Sequence, residues 1–169
     1  FRVEFIHVSH SITGAVSMAI HTPVGTVVHT GDFKIDYTPI DDHKIDLGRF
    51  AELGNQGVLA LLADSTNIER PGYTMSERKV GETFAKYFQQ ADGRIIIAMF
   101  ASNIHRIQQV VDAAVRFNRK VCMIGRSMVN VSKVAMQLGE LTIPEGRLIS
   151  ADDLDRYDDN EIVVITTGS

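Results

Sequence analysis

The chain has 169 residues, of which 44% are hydrophobic and 22% are charged, a composition that is ordinary for a globular protein. Its formal net charge of −4 does not indicate nucleic-acid binding, so any such role requires a local basic cleft. No apolar stretch approaches the roughly 20 residues of a membrane-spanning helix, and a single cysteine, Cys122, excludes an internal disulfide framework.

The length is compatible with one domain or with pieces of two. The sequence starts directly in a strand, with no methionine before Phe1, and stops at Ser169 where another strand ends. We interpret it as an excerpt of a longer protein. The lone cysteine lies in an apolar run and is compatible with a reducing cytoplasm, where we expect the protein to reside.

The first part of the chain is rich in predicted strands, with one short helix. The predicted strands are Arg2–His7, Val16–Thr22, Thr26–Thr30 and Val58–Ala63. Pro23-Val24-Gly25 predicts a hairpin between the second and third strands. A helix over Leu47–Leu53 is predicted to stop at Gly54.

The pattern changes near residue 75, after which strands and helices alternate. Thr74 and Glu77 predict a capping box for a helix to about Gln90. The predicted elements that follow are a strand buried on both faces (Arg94–Met99), a helix (Asn103–Phe117), a strand (Val121–Ile124), a helix (Met128–Leu138) and a strand (Glu161–Thr166). This alternation predicts a parallel, Rossmann-like α/β unit.

Two residues at strand ends are candidate metal ligands. His10 follows the first predicted strand, and Asp32 follows the third, directly after Gly31, which permits a tight turn. Because the hairpin returns the chain to the same edge of the sheet, we expect both side chains there. Imidazole suits Zn²⁺ or Mn²⁺, and a carboxylate can bridge two such ions. A surface histidine and a plain turn are the alternatives.

Other polar residues at strand ends are more ambiguous. Asp64 can ligate a metal, orient a ligand or simply cap the next turn. The segment Phe100-Ala101-Ser102-Asn103 precedes a helix, with Ser102 as a good N-cap, so its backbone N–H groups could bind phosphate, with His105 and Arg106 adding donors. Ordinary helix capping explains the same residues. No His-x-His-x-Asp-His cluster occurs, so the centre is not complete within this sequence.

Six short segments, taken in order, resemble the metallo-β-lactamase-fold nucleases with an inserted β-CASP domain, and most of all the bacterial ribonuclease J family. The segments are His10-Ser11-Ile12, His29 to Lys34, Ala63 to Asn67, Phe100 to Gln109, Gly125 to Met128, and Thr166-Thr167-Gly168-Ser169. The resemblance implies part of a metallo-β-lactamase αββα sandwich over residues 1–75, then most of a Rossmann-like β-CASP domain with a parallel sheet, truncated, over residues 76–169.

The resemblance also implies an activity and residue roles. It implies RNA phosphodiester hydrolysis, both internally and from a 5′-monophosphate end, with two zinc or manganese ions. His10 is similar to a metal-ligand histidine, Asp32 to the bridging carboxylate, and Asp64 to an acidic residue that supports a catalytic histidine. Ala101, Ser102 and Asn103 resemble a loop that contacts an RNA phosphate.

The sequence departs from the family pattern at Thr13-Gly14, where a proline is common, and it lacks the histidine cluster, the last metal histidine and the Ser-Gly-His-Ala motif. We therefore expect the excerpt alone to be inactive. The resemblance implies that the parent protein acts on RNA without a membrane, as a homodimer or homotetramer, in an RNA-degradation complex. The alternative function is a nucleotide- or RNA-binding Rossmann-like module without catalysis.

Overall fold

The structure is a computed structural model that describes residues 1–168, and it divides into two compact units, Phe1–Ser76 and Glu77–Ser169. Ser169, the last residue of the segment Thr166-Thr167-Gly168-Ser169, lies outside the described residues. No helix within residues 1–168 is long and apolar enough to cross a bilayer. The assignment of the two units to the predicted domains stays a prediction.

The first unit is a four-stranded sheet with one helix. Its elements are β1 (Arg2–His7), β2 (Val16–Thr22), β3 (Gly25–His29), α1 (Leu47–Gln56) and β4 (Ala60–Leu62). The sheet order is β1-β2-β3-β4, antiparallel except for the parallel pair β3 and β4. The predicted hairpin is confirmed, because Thr22 pairs with Gly25 across the turn.

One face of this sheet is covered and the other is open. Ile6, Ala19 and Val28 share the covered face, where Leu53 of α1 packs against them. On the opposite face Val3, Phe5 and Leu62 remain exposed, Phe5 by 67%. Alternation along each strand therefore places a helix-covered core on one side only.

The predicted stop of α1 at Gly54 is wrong. Gly54 lies inside the helix, which continues to Gln56. Gly57 ends it with a φ of 96°, and its N–H donates to the carbonyl oxygens of Leu53 and Gly54. A glycine ends a helix only where the backbone needs a positive φ, and that need arises one turn later than predicted.

The second unit is a parallel sheet with helices. Its elements are α2 (Arg78–Gln90), β5 (Ile95–Ala98), α3 (Ile104–Arg116), β6 (Lys120–Ile124), α4 (Arg126–Gln137), β7 (Leu148–Ile149), 3₁₀ turns at Ala151–Arg156 and Asp159–Glu161, and β8 (Ile162–Thr166). The sheet order is β5-β8-β6-β7, and every pair is parallel. The predicted α/β class with a Rossmann-like parallel sheet is confirmed. The strand β7 and both 3₁₀ turns were not predicted.

The main core of this unit lies between the sheet and α2, α3 and α4. Ile107, Val111 and Ala114 of α3 are buried in it, as their helical spacing predicts, together with Val163 and Ile165 of β8. The opposite face of β8 carries Ile162 and Val164, which form a smaller cluster with Cys122 and with Leu154 of the first 3₁₀ turn. β8 is thus an interior strand of the sheet and is buried on both faces.

The prediction that the strand at 94–99 is buried on both faces is wrong. Its apolar run is Ile95-Ile96-Ile97, but β5 lies at the edge of the sheet and Ile96 is 67% exposed. An apolar run of this length satisfies both an edge and a central position, so the sheet order decides burial.

The predicted capping box of α2 is also wrong. The helix begins at Arg78, three residues later than the box requires, and no side chain caps it. The Glu77 carboxylate instead accepts hydrogen bonds from Nε and Nη2 of Arg106 on α3, while Gln109 Nε2 donates to the Glu77 carbonyl oxygen. A charge-assisted two-point pair outweighs a neutral bond to the backbone of Thr74.

Candidate functional site

The loops that follow β1 and β3 meet at one edge of the first unit. The backbone N–H of Lys34 donates to the Ser9 carbonyl oxygen at 2.8 Å, which forms an isolated antiparallel bridge. This bridge holds His10, next to Ser9, beside Asp32. Nε2 of His10 lies 3.8 Å from Oδ2 of Asp32, so the structure brings the two predicted ligands together.

Gly31 makes the turn into Asp32 possible. Its φ is 61°, and a Cβ atom at this position would lie 2.8 Å from the carbonyl oxygen of Val16. Only glycine fits both restrictions. Nδ1 of His29 accepts a hydrogen bond from the Gly31 N–H at 3.0 Å, which fixes the turn from the other side.

Thr30 connects this turn to the end of β4. Its side chain accepts a hydrogen bond from the Asp64 N–H at 2.9 Å, and its own N–H donates to the carbonyl oxygen of Leu62 at 3.0 Å. Ser17 on β2 donates to the Thr30 carbonyl oxygen. A cleft of about 320 Å³ results, lined by Gly31, Asp32 and Asp64 together with His29, Leu62 and Ala63.

Asp64 caps the turn that follows β4 and also faces the cleft. Its Oδ1 accepts a hydrogen bond from the Thr66 N–H at 2.9 Å. The hydrogen bonds from Thr66 hold the pKa of Asp64 below its ordinary value, and the Phe33 N–H and the charge of His10 act in the same direction. Asp64 therefore acts as the cap of this turn, and its lowered pKa favours the ionised carboxylate.

The donor set fits one side of a divalent metal site. Two ligands about 2.1 Å from one zinc ion and at a tetrahedral angle lie roughly 3.4 Å apart, close to the 3.8 Å between His10 and Asp32. Asp32 is 80% exposed, so its carboxylate is accessible. Among residues 1–168 no group of three or more His, Cys, Asp or Glu side chains is placed to hold an ion.

His29 is a further residue of the cleft, and it was not among the predicted site residues. It lines the cleft, and because Nδ1 accepts the Gly31 N–H, its other ring nitrogen, Nε2, carries the proton in the neutral tautomer. The spacing His29-Thr30-Gly31 is the available sequence signal, since a side chain can accept the N–H two residues further on. The metal role of His10 and Asp32 stays a prediction.

The loop after β5 lies at the carboxyl edge of the parallel sheet in the second unit. Strand pairing places it beside the ends of β8 and β6, because the Met99 N–H donates to the Thr166 carbonyl oxygen at 2.9 Å. A Cβ built on Gly125 would lie 3.1 Å from Oγ1 of Thr167. Ligands bind at such edges in open α/β sheets.

The prediction that Ser102 caps α3 is wrong, and Asn103 does so. Oδ1 of Asn103 accepts from the Arg106 N–H at 3.1 Å, and Asn103 is only 5% exposed. Ser102 is exposed, and its carbonyl oxygen accepts the Ile104 N–H. Arg106 is held by Glu77 rather than aimed at the loop. The exposed Ser102, next to the partly buried Ala101, is thus the open part of the predicted phosphate loop.

Known proteins resemble the chain over its full length. A sequence model of the ribonuclease J β-CASP domain matches residues 92–169. All 169 residues align with ribonuclease J of Helicobacter pylori (strain ATCC 700392 / 26695) at 45% identity, of Thermus thermophilus at 43% and of Mycobacterium tuberculosis at 44%. The chain spans 24%, 29% and 30% of these relatives, respectively.

A solved structure shares the fold. A protein of unknown function from Enterococcus faecalis V583 matches 99% of this chain with a TM-score of 0.63 and 15% identity, and the chain covers 41% of it. At this identity the likeness concerns the fold alone. The predicted resemblance is confirmed by the sequence relatives: the chain is related throughout to bacterial ribonuclease J, of which it spans about a quarter, and residues 92–169 match its β-CASP domain.

Proposed function

We propose that the chain is a segment of a metal-dependent ribonuclease that hydrolyses RNA phosphodiesters, both internally and from a 5′-monophosphate end. The observation that carries the proposal is the placement of His10 beside Asp32, at 3.8 Å, where Asp32 lines a cleft together with Asp64. The ribonuclease J relatives support it. On this proposal residues 1–75 are a partial metallo-β-lactamase domain, and residues 76–169 are a β-CASP domain.

In this proposal each residue has a distinct task. His10 would bind a zinc or manganese ion through Nε2, and Asp32 would bridge two such ions through its exposed carboxylate. When bound, such ions supply Lewis acidity at the scissile phosphate and acidify water. Asp64, kept ionised by Thr66, would orient a catalytic histidine supplied by the longer protein. Ala101, Ser102 and Asn103 would contact an RNA phosphate.

The longer protein would act in the cytoplasm as a homodimer or homotetramer and would join an RNA-degradation complex. The chain alone would be inactive, because two ligands do not hold two ions. One observation favours a second candidate function, a nucleotide- or RNA-binding module without catalysis: residues 1–168 place no three metal ligands together. Measurements of metal binding and of RNA cleavage distinguish the two candidate functions.

The test begins with zinc binding by the purified chain, measured by calorimetry. We expect weak binding that Asp32→Ala or His10→Ala lowers about tenfold, since removal of one ligand leaves a single donor. Asp155→Ala, at an exposed aspartate in the second unit, is the matched control and should bind as the unaltered chain does. Equal zinc affinity in all four proteins would contradict the ligand assignment.

The second measurement follows cleavage of a 5′-monophosphorylated RNA. The chain alone should leave it intact, and a longer ribonuclease that contains the chain should cleave it until a chelator is added. Asp32→Ala in that longer protein should abolish cleavage without a change in its melting temperature, because the side chain is largely exposed. Cleavage by the chain alone, if lost on chelation, would refute the incomplete-site proposal.

A further inference from the structure

A second pocket in the first unit begins two residues beyond Asp64. Residues of the segment from Thr66 to Thr74 line an open pocket of about 430 Å³. Its lining is mainly polar, and the residues that form it are Thr66, Asn67, Arg70, Pro71, Gly72, Tyr73 and Thr74. The pockets beside α2 and α4, in contrast, have mainly apolar linings.

The backbone of this segment is ordered by its own hydrogen bonds. The Ile68 N–H donates to the Ser65 carbonyl oxygen at 3.2 Å, and the Arg70 N–H donates to that of Asn67 at 2.8 Å. Asn67 takes a φ of 63°, a conformation that asparagine tolerates better than most residues. Two consecutive turns therefore hold the pocket in shape before a ligand arrives, which lowers the entropic cost of binding.

Arg70 brings a positive charge to the pocket, and its guanidinium is available to bind an anion. Within residues 1–168 no carboxylate or hydrogen-bond acceptor pairs with the Arg70 guanidinium, which is exposed. Glu69 adjoins it in the chain but does not line the pocket. An arginine fork in this state matches the oxygens of a phosphate, to which it donates two parallel hydrogen bonds.

The aromatic ring beside it is fully exposed. Tyr73 has a relative exposure of 102%, and Pro71 also lines the pocket. A bare tyrosine ring offers a stacking surface for any nucleobase, and it retains little conformational entropy to lose. The same pocket thus combines a phosphate-binding cation with a base-stacking ring.

The pocket lies next to the cleft that Asp64 lines. Thr66 lines it, and the Thr66 N–H donates to Oδ1 of Asp64, which lines the cleft with Asp32. Two residues span at most about 7 Å, so the pocket and the cleft are neighbours along one continuous turn. A strand whose phosphate lies in the cleft reaches the pocket within one or two nucleotides.

We infer that this pocket, which we name the Arg70 pocket, binds one nucleotide of the RNA strand next to the cleft, with its phosphate on Arg70 and its base against Tyr73. The inference rests on the proposed function. It adds a binding subsite that is independent of the sheet-edge loop at residues 101–103. Because stacking accepts every base, the Arg70 pocket contributes affinity without sequence preference.

The experiment measures binding of a fluorescent single-stranded oligoribonucleotide to the purified chain by anisotropy, at several salt concentrations and with a chelator present. Arg70→Gln should raise the Kd about tenfold at low salt and reduce the slope of log affinity against log salt by about 0.7, the share of one phosphate. Tyr73→Ala should raise the Kd about fivefold or more, whereas Tyr73→Phe, which keeps the ring, should bind as the unaltered chain does.

Matched controls are Arg156→Gln and Tyr87→Ala, an exposed arginine and an exposed tyrosine of the second unit, and both should leave the Kd unchanged. All variants should retain the circular dichroism spectrum, since the altered side chains are on the surface. A Kd that is the same for Arg70→Gln, Tyr73→Ala and the unaltered chain overturns the inference while leaving the ribonuclease proposal intact.

A parallel titration with adenosine 5′-monophosphate and with inorganic phosphate, followed by NMR, separates the sources of the ligand. The inference expects shifts of the Arg70 and Tyr73 signals with the nucleotide and of the Arg70 signal alone with phosphate. No shift with either probe contradicts it. Nucleotide shifts at these residues, together with a longer protein that never cleaves RNA, would support the Arg70 pocket and overturn the proposed function.

Discussion

Glu4 on β1 and Arg49 on α1 form a two-point ion pair across the covered face of the first sheet. Nη2 of Arg49 donates to Oε2 of Glu4 at 3.0 Å, and Nε donates to Oε1. His21 on β2 contacts the same carboxylate at 3.2 Å. The pair links β1 to α1, the helix that follows β3 in the chain, so it reports on the integrity of the whole unit.

We expect Glu4→Gln to remove most of the acid sensitivity of this unit. The hydrogen bond from Arg49, and after it that from His21, lowers the pKa of Glu4 from 4.5 to about 2. A group with a depressed folded-state pKa stabilises the fold above its unfolded pKa, and this stabilisation is lost as the pH falls through the folded value. Thermal unfolding between pH 5 and pH 2 measures it.

The unaltered chain should lose melting temperature over that window, and Glu4→Gln should begin lower at neutral pH and lose less. Glu52→Gln is the matched control, because Glu52 also accepts from Arg49 but leaves the Glu4 contacts in place. If Glu4→Gln retains the full acid-dependent loss, the ion pair does not carry this pH dependence.

We expect Asn103→Ala to destabilise the second unit by about 1 kcal/mol, the usual cost of losing an N-cap. Oδ1 of Asn103 satisfies the Arg106 N–H, which alanine cannot do. Asn103→Asp should retain the stability because its carboxylate accepts the same bond. Urea unfolding of the three proteins measures these differences.

Ser102→Ala is the control for the same loop, and it should leave the unfolding free energy unchanged, since the Ser102 hydroxyl caps nothing. A reduced RNA affinity of Ser102→Ala at unchanged stability would support the proposed phosphate contact. A stability loss equal to that of Asn103→Ala would mean that the cap is shared between the two residues.

We expect Arg119→Met to destabilise the second unit by about 3 kcal/mol. The buried guanidinium donates to the carbonyl oxygens of Ala91, Gly93 and Ile162, between 2.6 and 3.2 Å, and lies over the ring of Phe88. Methionine fills the space but cannot donate the hydrogen bonds that Arg119 makes to these carbonyl groups. Chemical unfolding, monitored by circular dichroism, gives the change.

Arg116→Met provides the comparison, because Arg116 is exposed and its guanidinium lies over the ring of Phe117. Its loss should cost well below 1 kcal/mol, as is usual at surface sites. Equal destabilisation by both substitutions would show that the three carbonyl bonds of Arg119 add nothing to the stability.

The sequence predicts the features that depend on neighbours along the chain. The hairpin at 22–25, the strand alternation of β1 and β2 and the spacing of Ile107, Val111 and Ala114 follow from local periods and turn chemistry. The approach of His10 to Asp32 follows from the same hairpin, because it returns the chain to one edge.

The features that the sequence does not predict depend on distant partners. Glu77 looks like a capping residue until Arg106 provides a stronger donor, and Ile96 looks buried until the sheet order places β5 at the edge. Ser102 and Asn103 are both good N-cap residues, and only the backbone geometry decides that Asn103 caps α3. The bond from the Gly31 N–H to His29 likewise needs the turn itself.

The central position of β8 has a consequence for how the second unit is made. During synthesis β5, β6 and β7 emerge before β8, yet β5 and β6 do not pair with each other, because β8 lies between them. Ile95 meets its partner Val163 only after all intervening residues have left the ribosome. Such non-local pairing is slow, so the edges of β5 and β6 that face β8 stay unpaired for a period in the nascent unit. Chaperones have their greatest effect during this period.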